Sequence, residues 1–489
     1  MEQAIAERIG ALRQLLAEGQ AAAAREGLDA WYPALGPEEL REYGWQLDEL
    51  YGSCGVLTAD MELAAQAYWR AMEHDCYLRS QLEHCSSYLF CLHYLPGISD
   101  EELARQHFLY ERLLGDIPRF SHRREEHGSH GRIRLGYLST NFRHHAAADF
   151  FLPLFRDADH DRYELYGYSL GEEDAAADRF RQGADHWCRL GPLALEDGAE
   201  KIQRDGIDIL VDLSGHSDGG LTLALMAHKP APVQISAIGW VDTTGMPAMD
   251  YFLTDSCCAL PSADGCFAEK LLRLERPHLC YQPLEPLPVR HSWQEKEGLV
   301  FGSFSNFAKL TDEVLGQWKQ LLDRVPGSRL ELRDTLALPS RQQSVRNRAK
   351  GLGFSPAQLS LCGAETGYLQ AYGAVDIALD PWPYPGGATT CEALYMGVPV
   401  ITLAGTRHGS RLGASLLGAL ELPELIAESP ADYIEKAVRL SEDKGRLREL
   451  HEGLRHRLEQ SRLMDGPGYL RALEKAYAGC WQSWLAGTD

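Results

Sequence analysis

The residues between 383 and 400 combine groups that suit a diphosphate ligand. Gly386 and Gly387 precede two hydroxyl residues and then Glu392. Glycines let a ligand approach the backbone, and the free N–H groups at the start of a helix favour a bound phosphate. A threonine hydroxyl can donate to a phosphate, and a glutamate carboxylate can accept hydrogen bonds from both hydroxyls of a ribose. The pattern therefore predicts a nucleoside-diphosphate site formed by Gly386, Gly387, Ala388, Thr389, Thr390 and Glu392.

The same pattern also describes an ordinary loop and helix N-cap, so its setting in the chain decides between the two interpretations. Residues 375–380 form an apolar run that ends in Asp380, which is typical of a buried strand. A second apolar run occupies residues 398–403. Strand, glycine loop, helix and strand make a βαβ unit, whose ligand would lie at the carboxyl ends of the strands. This setting favours the ligand site.

Apolar strand patterns recur along two stretches of the chain. One series begins near Arg132 and a second begins near Leu299, with helical stretches between the strands. This rhythm is typical of parallel sheets with helices on both faces. We expect an α/β protein in which two doubly wound, Rossmann-like domains, residues 126–290 and 291–489, face each other across a cleft. The diphosphate site would lie on the second domain.

Residues 1–125 differ, because their apolar positions recur every three or four residues, as in helices. Ala64, Tyr68 and Ala71 indicate one degenerate tetratricopeptide-like helix pair, without a regular array of about 34-residue repeats. We expect an all-α region here. Residues 469–484 carry aromatic side chains at helical spacing, and we expect them to form a helix that crosses back to the first domain.

The composition excludes several classes of protein. The chain of 489 residues is too long for one core, and its 45% apolar and 24% charged residues are those of a globular protein. The net charge of −22 argues against nucleic acid or an anionic membrane as the main partner, since both require a basic face. No apolar segment of about eighteen residues and no secretory leader is visible, so we expect a cytoplasmic protein without a membrane span.

The cysteine pattern argues against a metal site. Twelve cysteines are scattered without the paired spacing of a zinc site, so we expect them to be buried as small apolar residues in a reducing compartment. No convincing Asp-x-Asp-type metal motif is visible either. The sequence therefore predicts no metal and no cofactor.

Several longer motifs resemble glycosyltransferase family 41. They occur in collinear order at residues 206–217, 300–310 and 389–399, and Lys229 stands in a further motif where the family usually has arginine. That family includes the O-linked N-acetylglucosamine transferases and the SPINDLY protein O-fucosyltransferases of plants. The resemblance runs from about residue 85 to the C-terminus, and several long motifs in order are more specific than a lone glycine pattern.

The resemblance implies an inverting, metal-independent GT-B enzyme that moves a sugar from a nucleoside diphosphate to Ser or Thr hydroxyls of a protein. The implied donor is UDP-N-acetylglucosamine. The helical region would then serve acceptor recognition, and the acceptor could be one dedicated protein, such as flagellin or another surface protein. Glycosylation of a small molecule stays open as an alternative.

Lys309 and His145 are the catalytic residues that the resemblance implies. Lys309 matches the lysine that stabilises the departing diphosphate, and this role also has a physical basis, because a leaving pyrophosphate needs a cation when no metal is present. His145 matches a histidine beside the transferred sugar. Its ring could act as a general base, or it could orient the acceptor hydroxyl or a donor phosphate. Asn306, three residues before Lys309, would contact the same nucleotide or leaving group.

Other matched positions would surround the nucleotide. Tyr368 would stack on the nucleoside or hydrogen-bond to it. Ser410 and Arg411 match a motif that closes the far side of the nucleotide pocket, although Arg411 could instead pair with an acidic side chain. His216 follows a predicted strand, and we expect it either to line the cleft or to cap the strand end.

Gly387 leaves the identity of the donor open. The N-acetylglucosamine transferases have a histidine at the matching position, and the local sequence at residues 389–399 resembles the SPINDLY branch at least as closely. GDP-fucose therefore competes with UDP-N-acetylglucosamine as the donor. A catalytically silent GT-B scaffold that binds proteins is the alternative from a different class of function.

Overall fold

The computed structural model of the protein describes residues 2–115, 117–127, 131–288, 298–336, 338–363 and 368–488. An all-α region is followed by two parallel sheets, one of seven strands and one of six. This architecture confirms the predicted fold class. Among the described residues, no helix is both long enough and apolar enough to cross a membrane.

The N-terminal region consists of helices that pack on one another. Their bounds are α1 (Glu2–Ala17), α2 (Ala21–Trp31), α3 (Pro37–Thr58), α4 (Met61–His74), α5 (Leu78–Leu92), α6 (Asp100–His107), α7 (Leu109–Leu114) and α8 (Arg124–His127). Two glycines of α3 let α4 approach closely. A Cβ on Gly52 would lie 2.6 Å from the ring of Tyr68, and one on Gly55 would lie 2.6 Å from the backbone N of Ala64. The helix pair indicated by Ala64 and Tyr68 therefore depends on glycines of the preceding helix.

The first sheet contains the strands β1 (Ile133–Ser139), β2 (Tyr163–Ser169), β3 (His186–Arg189), β4 (Ile209–Asp212), β5 (Val233–Ser236), β6 (Tyr251–Asp255) and β7 (Lys270–Leu274). Its helices are α9 (Ala148–Arg156), α10 (Ala177–Arg181), α11 (Leu195–Asp205) and α12 (Leu221–Met226). The strand order is β3-β2-β1-β4-β5-β6-β7, with parallel neighbours throughout. Strand β4 is buried over its whole length, which accounts for its uninterrupted apolar run.

The second sheet contains the strands β8 (Val300–Ser303), β9 (Arg329–Arg333), β10 (Leu359–Cys362), β11 (Ile377–Leu379), β12 (Val400–Leu403) and β13 (Ile426–Ala427). The helices that follow or separate them are α13 (Asp312–Arg324), α14 (Pro339–Gly351), α15 (Ala388–Tyr395), α16 (Leu412–Ala419), α17 (Pro430–Glu442), α18 (Lys444–Glu459) and α19 (Gly466–Ala486). The strand order is β10-β9-β8-β11-β12-β13, again parallel.

Helix α19 leaves the second domain and packs against the first sheet. The hydroxyl of Tyr469 donates to the backbone O of His278 (2.8 Å), and the hydroxyl of Tyr163 donates to the backbone O of Glu474 (2.8 Å). Leu473 belongs to the apolar core of the first domain. The last helix of the chain is thus part of a domain that begins more than three hundred residues earlier.

The twelve cysteines all carry free thiols. Seven of them are buried, as expected of small apolar residues, whereas Cys76 is exposed. Cys258 is one of the buried thiols and lies just after β6, at the junction of the two domains.

Candidate active site

A cleft of about 510 Å³ lies between the two sheets. It adjoins the place where the strand order reverses, between β1 and β4 in the first sheet and between β8 and β11 in the second. Parallel α/β sheets bind ligands at such a switch point, beyond the carboxyl ends of the strands. The lining residues that precede β8 are His144, His145, Ala146, Asp149, Pro283, Leu284, Glu285 and Leu287. Those of the second domain are Phe304, Arg333, Asp334, Thr335, Gly363, Tyr368, Leu369, Ala388, Thr389 and Glu392.

Asp380 shapes the loop in front of α15. Its Oδ1 accepts hydrogen bonds from the N–H of Gly386 (2.8 Å) and from the hydroxyl of Thr390 (3.2 Å). Its Oδ2 accepts from the hydroxyl of Thr402 (2.9 Å). Thr390 is therefore buried against Asp380, while the first two residues of α15 lie on the cleft wall. Asp380 sets the position at which the helix begins beside the cleft.

Glu392 lies on the cleft wall, where its side chain is buried. Its Oε1 accepts a hydrogen bond of 2.5 Å from the hydroxyl of Tyr368, another residue of the predicted site. Its Oε2 is buried without a hydrogen-bond partner in the part of the chain that the structure describes. Burial raises the pKa of Glu392 to about 7, and the negative charge of Asp149 adds to this effect. The unpartnered oxygen can accept a hydrogen bond from a ligand.

Lys309 ends a short 3-10 turn after β8 and lies behind the glycine loop. Its ammonium donates to the backbone O of Pro385 (2.7 Å) and lies 4.3 Å from the centroid of the Tyr384 ring. Within the described ranges, no carboxylate forms an ion pair with it. Burial lowers the pKa of Lys309 to about 8, partly offset by Asp380. The lysine is therefore a cation held next to the predicted diphosphate loop.

Asn306 caps the turn that carries Lys309. Its Oδ1 accepts from the backbone N of Ala308 (2.9 Å) and from Nη2 of Arg341 (2.6 Å). Arg341 is buried and also faces the cleft residue Asp334, with Nη1 and Oδ1 3.4 Å apart. No sequence motif connects Arg341 and Asp334 with Asn306, because only the fold brings them to this turn. In this structure the amide of Asn306 positions the turn and does not line the cleft.

His145 lies on the first-domain side of the cleft, after β1. Its Nδ1 accepts a hydrogen bond from the backbone N of Ala147 (3.2 Å), so in the neutral ring Nε2 carries the proton. Solvent reaches the ring, but the surrounding protein atoms desolvate it and lower its pKa. The neutral ring thus offers a donor at Nε2. The neighbouring His144 is exposed and pairs with Asp174 (2.9 Å).

Asp149 is a cleft residue that the sequence analysis did not single out. Its Oδ1 accepts from the backbone N of Leu284 (2.8 Å), and burial raises the pKa of its carboxyl group to about 6. A carboxyl group with a pKa near neutrality can exchange a proton during catalysis. Asp149 lies in the first turn of α9 and His145 lies in the loop before this helix, so helical spacing in the sequence does not connect the two residues.

His216 lies in the core, so the expectation that it lines the cleft is wrong. Its Nδ1 is 2.9 Å from the hydroxyl of Ser86, and its Nε2 is 2.9 Å from the backbone O of Thr244. The ring is buried between α5 and the first domain. Both ring nitrogens are occupied by protein partners, which makes His216 a structural link to the helical region.

Ser410 and Arg411 lie at the junction of the two domains, outside the lining of this cleft. Arg411 donates from Nε to the backbone O of Cys257 (2.6 Å) and from Nη1 to the backbone O of Gly405 (2.7 Å). Its hydrogen-bond partners here are therefore backbone carbonyls and not an acidic side chain. The hydroxyl of Ser410 donates to the backbone O of Arg407 (2.7 Å).

Two doubly wound α/β domains that face each other across a cleft define the GT-B class of fold. The family model described as "Glycosyl transferase family 41" matches residues 111–280 and 288–473. The chain belongs to glycosyltransferase family 41.

The relatives of the chain agree with this assignment. A mutant of the O-GlcNAc transferase of Thermobaculum terrenum has a solved structure that is 30% identical, covers 99% of both chains and superimposes with a TM-score of 0.78. The probable UDP-N-acetylglucosamine–peptide N-acetylglucosaminyltransferases named SPINDLY from Oryza sativa and Arabidopsis thaliana are 33% and 36% identical over 86% and 73% of this chain. These matches cover 46% and 40% of the plant proteins, so the chain spans about half their length or less.

Proposed function

We propose that this chain is an inverting protein glycosyltransferase, which moves a sugar from a nucleoside diphosphate to a Ser or Thr hydroxyl of a protein. The observation that carries the proposal is the Glu392 carboxylate, which is buried at the cleft wall with one oxygen unpartnered among the described residues. Such an oxygen is costly without a donor, and a ribose diol would supply hydrogen bonds to this carboxylate. Membership of glycosyltransferase family 41 supports the same reaction class.

The diphosphate would lie between Glu392 and Lys309. Glu392 is in the second turn of α15, so a ribose bound to it brings the attached phosphates toward the N–H groups at the start of this helix. The ammonium of Lys309 binds the carbonyl of Pro385, the residue just before the glycine loop. A cation at this place stabilises the negative charge that develops on the leaving diphosphate.

The acceptor hydroxyl would approach from the first domain. Inversion requires attack on the face of the sugar opposite the leaving group, and the proposed diphosphate contacts all belong to the second domain. Asp149, whose pKa is about 6, is mostly ionised at neutral pH and can accept the proton of the hydroxyl. The Nε2–H of a neutral His145 can orient the hydroxyl or a donor phosphate.

UDP-N-acetylglucosamine is the proposed donor, in line with the names of the plant relatives. GDP-fucose is the second candidate donor, because Gly387 carries no side chain at the start of α15. A Cβ on Gly387 would meet no heavy atom within 4 Å, so this residue leaves open space at the start of α15. A donor with a different base or sugar could use that space.

The proposed acceptor is a protein, such as flagellin or another surface protein. A groove of about 530 Å³ on the helical region, lined in part by Trp69 of α4 and Tyr88 of α5, offers an apolar surface for a peptide. Mass spectrometry of proteins from cells with and without the chain would identify hydroxyls that become modified.

A panel of nucleotide sugars tests the function directly. We expect transfer or slow hydrolysis with UDP-N-acetylglucosamine or GDP-fucose, and Lys309→Ala should reduce the rate by about 10²–10³ because the leaving group loses its cation. Lys319→Ala is the control, since Lys319 pairs with Asp323 on the surface of the same domain. Nucleotide binding without turnover of any donor would favour a silent scaffold. Lys309→Ala activity within a few fold of wild type would reject the role of this lysine.

The proposed reaction needs no metal ion, because Lys309 and the start of α15 supply the positive charge for the diphosphate. Activity should therefore not require Mg²⁺ or Mn²⁺ after treatment with a chelator. Turnover should be measured before and after chelation, and again after Mg²⁺ or Mn²⁺ is added back. A rate that disappears on chelation and returns with either ion would contradict this part of the proposal.

A further inference from the structure

Three potential metal ligands meet at the junction of the two domains. Cys258 follows β6 and His278 follows β7, both in the first domain, whereas His408 precedes α16 in the second. All three side chains are buried. One ligand atom from each, the Sγ of the cysteine and a ring nitrogen of each histidine, lie within 4.8 Å of one another. This separation is small enough for one ion to contact all three after minor adjustment.

Asp255 organises the two ligands of the first domain. Its Oδ1 accepts from the backbone N of Cys258 (2.8 Å), and its Oδ2 lies 2.6 Å from Nδ1 of His278. An ionised carboxylate only accepts hydrogen bonds, so Nδ1 of His278 carries a proton and the neutral ring has its lone pair at Nε2. A carboxylate behind a histidine in this way is the usual support of a metal-binding imidazole.

The ring of His408 has the same tautomer for a similar reason. Its Nδ1 lies 2.8 Å from the backbone O of Val241, and a carbonyl oxygen can only accept. The neutral ring therefore has its lone pair at Nε2, which lies 2.9 Å from the hydroxyl of Thr254. That hydroxyl can turn away from the nitrogen or remain as a neighbour of a bound ion.

We propose that Cys258, His278 and His408 bind one Zn²⁺ ion that ties the two domains together. A thiolate with two imidazoles is a donor set that zinc prefers, and a water or the Thr254 hydroxyl would complete a tetrahedral site. On binding, the Cys258 thiol releases one proton to solvent and its thiolate forms the bond to zinc. The thiolate and the Asp255 carboxylate together balance the charge of the ion in this buried place.

A solvent-accessible cleft adjoins the proposed zinc site. This cleft, of about 770 Å³, is distinct from the proposed nucleotide cleft and is lined by Asp255, Cys257, Pro277 and Ser415 among others. Asp255 contacts two of the ligands directly, and the other three residues adjoin ligands in sequence or bond to Asp255. This cleft therefore brings solvent close to the three ligands from the side away from the proposed diphosphate site.

A second group of residues with similar spacing, His93, His107 and Asp242, is less suited to an ion. The Nε2 atoms of the two histidines face each other at 3.4 Å. Nδ1 of His107 lies 2.8 Å from the backbone O of Leu103, so its Nε2 lone pair accepts from the ring of His93. Both facing nitrogens are already used in a hydrogen bond. The zinc site is therefore assigned to the group at the domain junction.

Metal titration of the apo protein tests the proposal. After removal of metals with a chelator, calorimetric titration with Zn²⁺ should show one equivalent bound and one proton released, from heats measured in two buffers. Co²⁺ in place of Zn²⁺ should give a thiolate-to-metal charge-transfer band. Zn²⁺ should also raise the melting temperature of the wild-type protein, because binding stabilises only the folded state.

Cys258→Ala and its neighbour Cys257→Ala make a matched pair. Cys258→Ala should weaken Zn²⁺ binding by more than about 100-fold and remove the charge-transfer band, whereas Cys257→Ala should bind as the wild type does. If Cys258→Ala does not fold, the Co²⁺ spectrum of the wild type still shows whether a thiolate binds the metal. Absence of a thiolate band, binding of less than one equivalent, or loss of binding in Cys257→Ala alone would overturn the assignment.

Discussion

Glu392 and Lys309 carry opposite charges, and burial displaces the pKa values of both groups. Burial disfavours the charged form of each group, so it raises the pKa of the carboxyl to about 7 and lowers that of the ammonium to about 8. Outside the range between these values, one of the two groups is mostly uncharged. The proposed site is thus best prepared for a nucleoside diphosphate in a narrow range near neutral pH.

We predict that the affinity for UDP or GDP has a maximum between about pH 7 and pH 8. Below this range Glu392 becomes protonated and binds the ribose diol less well, and above it Lys309 loses the charge that attracts the diphosphate. Calorimetric titrations at pH values below and above this range measure how the nucleotide affinity falls on each side. An affinity that rises steadily through the alkaline side would contradict the role of Lys309.

Glu392→Gln separates the binding role of this residue from its effect on stability. Loss of the charge should weaken nucleotide binding by about 1–3 kcal/mol. It should also remove the contribution of Glu392 to the fall in affinity at acid pH, so that only the titration of the nucleotide itself remains there. The folded-state pKa is raised, so the ionised group destabilises the fold above about pH 7 and this cost disappears as pH falls toward its ordinary pKa. The variant should therefore melt no lower than the wild type at pH 8.

The control for this prediction is Glu285→Gln, because Glu285 lies at the exposed rim of the same cleft. It should change neither the affinity nor its dependence on pH. A lowered melting temperature with unchanged nucleotide affinity in Glu392→Gln would reject the ribose role.

The residue types in one short segment led to residues that line the cleft. Glycines, hydroxyls and a glutamate near residue 390 indicate a phosphate loop because their chemistry is local. Asp149 and Arg341 could not be found in this way. Asp149 has a raised pKa only because the fold buries it, and Arg341 reaches Asn306 only after α14 packs beside the turn. The location of His216 could not be predicted, because a position at the end of a strand does not reveal which element covers it.

At the scale of elements, the start of α15 depends on how closely Asp380 approaches the glycine loop. A Cβ on Gly386 would lie 2.4 Å from Oγ1 of Thr390 and 2.9 Å from Oδ1 of Asp380. A Cβ on the next residue, Gly387, would meet nothing within 4 Å. Only the first glycine is therefore required by packing, although both looked alike in the sequence.

This difference predicts different results for two alanine substitutions. Gly386→Ala should displace the loop, weaken nucleotide binding by about 1–3 kcal/mol and lower the melting temperature. Gly387→Ala should change stability by less than about 0.5 kcal/mol. Binding titrations and melting curves of both variants check this. Equal effects of the two substitutions would mean that the Asp380 contacts do not determine the position of the loop.

The helical region also reaches this loop. The ring of Tyr384 packs against Tyr94 and Phe90, with ring centroids 5.2 and 6.3 Å apart, and its face lies near the ammonium of Lys309. The two aromatic residues lie in α5 or just after it. Helical periodicity predicted these helices, but it gave no sign that one of them supports the glycine loop almost three hundred residues later.

At the scale of the whole molecule, the order of elements along the chain does not match their order in space. Strand and helix periodicities predicted two sheets and an all-α region, because these patterns depend on neighbouring residues. They did not predict the contacts across the domain junction. Arg411 binds the carbonyl of Cys257, and His408 meets Cys258, although about 150 residues separate each pair.

The return of α19 to the first domain leads to a prediction about cooperative stability. Leu473 is fully buried in the core of that domain, so Leu473→Ala should lower the free energy of unfolding by about 2–5 kcal/mol. Lys475→Ala, on the exposed side of the same helix, should have almost no effect. Because α19 packs on the first domain and follows the second directly in the chain, loosening it should affect both domains. Calorimetry should therefore show one shared unfolding transition at a lower temperature. A separate early transition, with the main one unchanged, would mean that α19 is not needed to hold the two domains together.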